Sequence, residues 1–229
     1  MDQCIKSILG KAKILIVENS YNKELKLSYE KNFPNLEVFL TGSNLGYGGG
    51  NNKGLSLVKT KYALISNPDV IYEDDFFNNL KTYIDEKTDF NIIGPLYRSN
   101  DYASHGYFDD LKNNKYQIDG LENESLIKTH WIVGCTMFIN LEKFENKQLF
   151  DENFFLFFEE FDLCRRVLKN GGKIYASKKL YVKHLGHKGS AIVDPKYEEE
   201  SNFLRSWHWM WSSFYYCLLY TSPSPRDDR

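Results

Sequence analysis

Apolar residues fall along this chain in short runs that stop at turn-forming residues, and the runs alternate with stretches of helical periodicity. Residues 12–17, read AKILIV, form one such run and close on Glu18, Asn19 and Ser20. Residues 21–33 suit a helix, with Leu25, Leu27, Tyr29 and Phe33 among lysines and glutamates, and Pro34 ends it. Residues 36–40 then read as a second strand. Strand, helix, strand at this spacing is the cycle of an α/β protein with a parallel sheet. A third run, ALISNPDV over residues 63–70, stops at Asn67, Pro68 and Asp69. That places the Asp69 carboxylate just past the carboxyl end of a buried strand, where open α/β sheets bind ligands.

Further along, residues 74–84 carry helical periodicity, with Asp74 or Asp75 available as a cap, and residues 90–94 (FNIIG) form a strand closed by Pro95. Between Tyr97 and Lys128 the periodicity is lost, and a long polar insertion of this kind in a compact domain is a place for acceptor recognition. His105 and His130 sit near it, and a lone histidine is more often a surface or packed residue than a ligand. Residues 131–140 return to strand character, residues 173–176 and 180–182 read as final strands, and residues 198–220 form a helix crowded with aromatic side chains.

Two stretches carry candidate chemistry. The glycine-rich NLGYGGGNNKG of residues 44–54 fits neither GxGxxG nor GxxxxGK, which excludes a dinucleotide fingerprint and a P-loop. It reads as a flexible loop feeding a helix that begins near Asn51, where backbone amides can approach a ligand. In FDENFFLFFEEFDLCRRVLKNGG, residues 150–172, acidic Glu159, Glu160 and Asp162 precede Arg165, Arg166 and Lys169, as the helix dipole favours. Asp162 and Arg166 are spaced to pair on one face. Glu159 and Glu160 directly follow Phe154, Phe155, Phe157 and Phe158, and desolvation by those rings raises a carboxylate's pKa.

Composition narrows the picture. At 229 residues and a net charge of -2 the chain suits one domain and offers no overall basic field for nucleic acid. Cys4, Cys135, Cys164 and Cys217 lie far apart, which reads as free thiols in a reducing, cytoplasmic compartment rather than a disulfide framework. No run approaches the length of a membrane span and no signal-peptide pattern stands at the start.

Taken in order, VENS at residues 17–20, NLGYGGGNNKG, NPDV at 67–70, FFEEFDLCRR and the later HLGHKGS resemble the family 2 glycosyltransferases of the GT-A fold, most closely a bacterial rhamnosyltransferase-like branch. The resemblance implies an α/β GT-A domain over residues 1–217. It implies a sheet lacking the family's first strand, because the chain starts at the helix that follows it. Residues 218–229 leave the pattern and look like vector or adapter read-through, expected to be disordered. By position, Asn67 and Asp69 occupy the family's metal motif, with Asp69 the carboxylate that holds Mg²⁺ or Mn²⁺. Glu18, Asn44, Gly46, Asn52 and Asn67 match the nucleotide-sugar side. Glu160 matches the catalytic base, with Trp131 and Glu159 on the acceptor side. His184, or His187 within a few residues, matches the late metal or diphosphate histidine. The implied reaction is an inverting, metal-dependent transfer from a dTDP- or UDP-linked donor, rhamnose being the first guess, to a saccharide or lipid-linked acceptor. The aromatic carboxyl-terminal helix is the candidate for peripheral contact with the inner face of the membrane. A nucleotidyltransferase and a non-catalytic nucleotide-sugar binding protein remain the alternatives.

Overall fold

The computed structural model describes residues 1–98, 103–104, 125–185 and 195–221; His105, His187, most of the polar insertion and the end of the tail lie outside them. Strands β1 (Ile14–Glu18) and β2 (Leu36–Leu40) pair in parallel as a sheet of their own, with helix α2 (Lys23–Asn32) connecting them. Asn22 caps α2 by accepting a hydrogen bond from the Leu25 amide at 2.9 Å. The larger sheet has the order β3 (Tyr62–Ser66), β8 (Thr136–Asn140), β5 (Ile92–Arg98), β9 (Ile174–His184) and β4 (Val70–Tyr72). Two short strands, β6 (Ala103–Ser104) and β7 (Leu126–Lys128), pair with β5 and β9. This sheet is mixed: β5 and β9 run parallel, whereas β3 with β8, β8 with β5, and β9 with β4 are antiparallel.

Alternation along the central strands fills both faces. Ile92, Met137, Ile139, Ile174 and Ala176 point to one core with helices α3 (Gly46–Leu57) and α5 (Glu159–Lys169). Ile93, Phe138, Leu180 and Val182 point to the other with α1 (Asp2–Ile8) and α4 (Phe76–Asp85). Helices sandwich the sheet, as the strand and helix pattern implies. No pairing among the described strands joins β1 to β3. The two sheets are instead bridged by α1, whose Ile5 packs on β2 while Cys4 and Ile8 pack on β4, and by α3, which lies against Val17 and carries Leu55 into the core beside Ile65.

Besides β8, which starts at Thr136 rather than at residue 131, and β4 and β7, which the sequence pattern does not mark, four details depart from the sequence reading. Helix α3 begins at Gly46 rather than near Asn51, because Asn19 and Asn44 hold the Leu45 and Gly46 amides and the glycine face packs closely on residues 150–155. Strand β5 runs through Pro95, tolerated where the register with β9 shifts between Pro95 and Leu96. Residues 173–182 do not form two strands: β9 is continuous and serves β4, β5 and β7 as a common neighbour. Helix α6 (Glu198–Tyr220) reaches past the boundary drawn at residue 217, and the Tyr220 hydroxyl donates to Asp162 at 2.5 Å.

Candidate active site

The NPD turn leaves β3 at the point where β8 begins, since Ser66 pairs with Thr136. Its backbone is fixed by the Asn67 amide donating to the Cys135 carbonyl at 2.8 Å and by the Val70 amide donating to the Asn67 carbonyl at 3.3 Å. Asp69 is thereby turned inward and is 6% exposed. Val70 pairs with His184 across β4 and β9, which brings Nε2 of His184 to 3.2 Å from Oδ1 of Asp69. That distance suits an ion pair, yet the oxygen has no aligned hydrogen bond and is shielded from solvent. A buried carboxylate oxygen in this condition fits a hard cation, which takes one or two protein carboxylates and completes its shell with substrate phosphates and water. No cluster of three or more His, Cys, Asp or Glu side chains stands among the described residues, so Asp69 and His184 supply two positions at most.

The acidic pair is built by the segment before α5. Phe157 and Phe158 adopt left-handed conformations, with φ of 71° and 69°, costly for non-glycine residues and typical of functional turns. They aim Glu159 and Glu160 in different directions. Glu159 is 2% exposed and lies under the glycine face of α3 near Gly48, with Oε1 unpartnered. Burial, reinforced by the neighbouring Glu160 charge, pushes its carboxyl up to about 8. Glu160 is half-buried, with Cβ against Gly134. Its pKa is also raised, by burial, against the opposing pull of the Glu160 and Gly134 amides. A carboxylate held this way is a stronger base than an exposed one.

Gly134 and Cys135 join the two centres. Gly134 faces Glu160 and accepts a hydrogen bond from the Tyr47 hydroxyl, while Cys135 holds Asn67 and feels the charge of both Asp69 and Glu160. Tyr47 in turn ties the first turn of α3 to this junction. Its neighbour Gly46, at φ 73°, accepts from Asn19 Nδ2 at 2.9 Å, and Asn19 also donates to Asn44 Oδ1 at 3.1 Å. The polar corner of Glu18, Asn19 and Ser20 thus meets the acidic centres through α3. Within it, Ser20 donates to Glu18 Oε1 at 2.5 Å.

Of the residues singled out from sequence, Asp69 and His184 come together, and Glu160 lies across Gly134 and Cys135 from them. Glu18, Asn44 and Gly46 gather around Asn19. Asn52 does not join them: its buried amide donates to the Phe150 carbonyl and accepts from the Phe150 amide, both at 2.9 Å, and so pins residues 150–152 to α3. Trp131 packs on Phe161 at 4.7 Å between ring centroids, with its Nε1 buried and unpartnered. Tyr47, Gly134 and Asn19 were not singled out. A lone tyrosine among glycines was the available signal for the first, and nothing short of the fold pairs Gly134 with Glu160.

Residues 1–147 match the family model described as Glycosyl transferase family 2. The chain belongs to that family. Among its relatives, the low-salt glycan biosynthesis hexosyltransferase Agl10 of Haloferax volcanii is 26% identical over 170 residues, covering 70% of this chain and 54% of its own. The rhamnosyltransferase WbbL of Escherichia coli is 24% identical over 191 residues, covering 75% of this chain and 69% of its own. The chain therefore spans about half the length of the Haloferax relative. In structure it is similar to GalNAc-T7 crystallised with UDP, GalNAc and Mn²⁺, with a TM-score of 0.58 at 14% identity over 76% of this chain and 38% of that one. It is also similar to HddC from Yersinia pseudotuberculosis in complex with GMP-PN, with a TM-score of 0.50 at 16% identity over 81% and 79% of the two chains. At these identities the likeness is one of fold, and that fold is the GT-A arrangement of an α/β sheet between helices.

Proposed function

We propose that this chain transfers a sugar from a nucleoside-diphosphate donor to a hydroxyl of a saccharide or lipid-linked acceptor, inverting the anomeric centre. The observation that carries the reading is the buried, unbonded Asp69 oxygen 3.2 Å from His184 at the end of β3, with Glu160 half-buried across Gly134 and Cys135. Asp69 and His184 would hold the diphosphate end of the donor through Mg²⁺ or Mn²⁺. When bound, such a cation offsets the charge that grows on the leaving diphosphate. Glu18, with Asn19 and Asn44 ordering the backbone beside it, forms the nucleoside side. Glu160 takes the proton of the acceptor hydroxyl as its oxygen attacks the anomeric carbon from the face opposite the departing diphosphate. Glu159 is too enclosed to meet an acceptor, and Trp131 flanks the same side through Phe161.

The rhamnosyl relative makes dTDP-rhamnose the first donor to test, with UDP-sugars second. All four cysteines are unpaired, which supports a reducing, cytoplasmic setting, and α6 is the element through which the protein would reach the inner membrane face. A nucleotidyltransferase would also use a carboxylate past a strand end, but it leaves the desolvated acid pair without a task. The test is calorimetric titration of dTDP and UDP, with and without Mn²⁺, into the protein and its Asp69→Ala variant. Metal-dependent binding that the variant loses is the expected result. Equal binding by both proteins would remove Asp69 from the site.

A further inference from the structure

Tyr47 is the single aromatic residue in the glycine-rich stretch 44–54. Its ring meets Phe150 edge-on, with centroids 5.7 Å apart, and packs against the core under α3. Its backbone amide donates to the Phe155 carbonyl at 2.9 Å, in the segment that leads into α5. Its hydroxyl donates to the Gly134 carbonyl, and the Gly134 amide in turn donates to the Glu160 carboxylate. One residue of α3 therefore holds both of the backbone segments between which Glu160 is set. Three successive peptides are fixed in this way. Glu160 receives the amide of the peptide before Gly134, the Tyr47 hydroxyl holds the carbonyl of the peptide after it, and the Asn67 amide holds the Cys135 carbonyl at 2.8 Å.

The geometry points to Tyr47 as a positioning residue: its hydroxyl, acting through Gly134, keeps a backbone N–H directed at the Glu160 carboxylate. Gly134 makes such a hold necessary, because a glycine imposes little preference on the orientation of the peptides beside it. A side chain that would restrict the backbone has no room. A Cβ at residue 134 would stand 3.2 Å from the Tyr47 hydroxyl oxygen and 3.6 Å from Glu160 Cβ. The Tyr47 ring supplies the packing on Phe150, and the hydroxyl adds a contact to the backbone of the site itself. Phenylalanine would fill the same space and leave the direction of the Gly134 amide to the glycine. That Glu160 is the base rests on the transferase reading, whereas the hold of Tyr47 on it does not. Among the described residues, the titratable groups that face Glu160 are Glu159 and Cys164 on α5, Cys135 beside Gly134, and Tyr47 on α3. Burial pushes both thiols up to about 12 and the phenol well above its ordinary value, so all three stay neutral near neutral pH. Glu159, pushed up to about 8, is the neighbour that titrates nearby.

The experiment is a carbon-13 NMR titration of the glutamate carboxyls, in a Glu159→Gln background that silences this neighbour. The Glu160 signal is assigned by its loss in Glu160→Gln. Tyr47→Phe should move the Glu160 midpoint to higher pH by about half a unit or more, since a carboxylate that loses a donor is harder to ionise. Gly134→Ala keeps the hydroxyl but forces the same neighbours apart, and should move the midpoint the same way. Tyr83→Phe removes a hydroxyl bonded to Ser177 at 2.8 Å in the core on the other face of the sheet, and should leave the midpoint in place. Circular dichroism checks that each variant folds. With dTDP-rhamnose as donor, Tyr47→Phe should lower kcat by about tenfold to a hundredfold and carry the acid limb of its pH profile upward, with donor KM within about twofold. A Glu160 midpoint unmoved in whichever of Tyr47→Phe and Gly134→Ala folds, or moved as far by Tyr83→Phe, would overturn the inference. A midpoint that moves while the unaltered protein turns over neither dTDP-rhamnose nor a UDP-sugar would uphold the hold on Glu160 and remove the transferase reading instead.

Discussion

Glu159→Gln should make the stability of this protein less sensitive to alkaline pH. The carboxyl of Glu159 is raised from an ordinary value near 4.5 to about 8, chiefly by burial. Between those values the unfolded chain releases a proton that the folded chain keeps, so folding stability falls as pH rises. The loss is absent below about pH 4.5 and complete above about pH 8. A displacement of this size corresponds to at most about 5 kcal/mol. Residual hydration and the coupled Glu160 charge reduce what is measured. Glutamine fills the same space without titrating, and any cost of its unpartnered amide is the same at every pH. Urea unfolding of both proteins from about pH 5 to about pH 9 measures the effect, as the gap between their unfolding free energies. The gap should move in favour of the variant by more than about 1 kcal/mol and level off above about pH 8. A gap that stays constant across the range would mean that Glu159 titrates as an exposed residue does, and the desolvation argument would fail.

Replacing Gly46 by alanine puts Cβ 2.2 Å from the Phe155 carbonyl oxygen at a backbone φ of 73°, so α3 and residues 150–155 must separate. A loss of about 2 kcal/mol or more in urea unfolding is expected. Glu160→Gln should lower kcat by about 10² to 10⁴ while nucleotide affinity, read by calorimetry, stays within about twofold. Tyr220→Phe removes the hydroxyl that donates to the buried Asp162, which keeps Arg166 as a partner, so a loss of about 1–2 kcal/mol is expected. Unchanged thermal unfolding would show that the Tyr220 hydroxyl contributes nothing to the hold on α6.

The strands and helices were legible where hydrophobic runs met strong turn residues. Residues 36–40 and 198–220 have the boundaries read from the sequence, and Asp162 pairs with Arg166 as its spacing implies. What the sequence concealed was long-range. The glycines of α3 read as a mobile loop because helix propensity disfavours them, and only the closeness of residues 150–155 explains a helix there. The resemblance places Asn52 on the nucleotide-sugar side by position, and its amide is hydrogen-bonded to the Phe150 backbone. Asp69 and His184 are far apart in sequence, and their meeting depends on the register of β4 against β9, which no local pattern encodes.

The division of the sheet has a mechanical consequence. With no described pairing between β1 and β3, the unit of β1, α2 and β2 is attached to the rest by side-chain packing, through the flanks of α1 and α3 and through Ile14 of β1, and not by a shared strand ladder. Side chains sliding on a helix resist displacement less than a continuous ladder of backbone hydrogen bonds does. This unit should therefore open as a subglobal event, with amide exchange in residues 14–40 faster than in the enclosed strands β5 and β8. Glu18 and Asn19 ride on it while Asp69 and His184 do not. A nucleotide spanning both would act as a clasp across the seam, slowing exchange on the smaller side far more than on the larger.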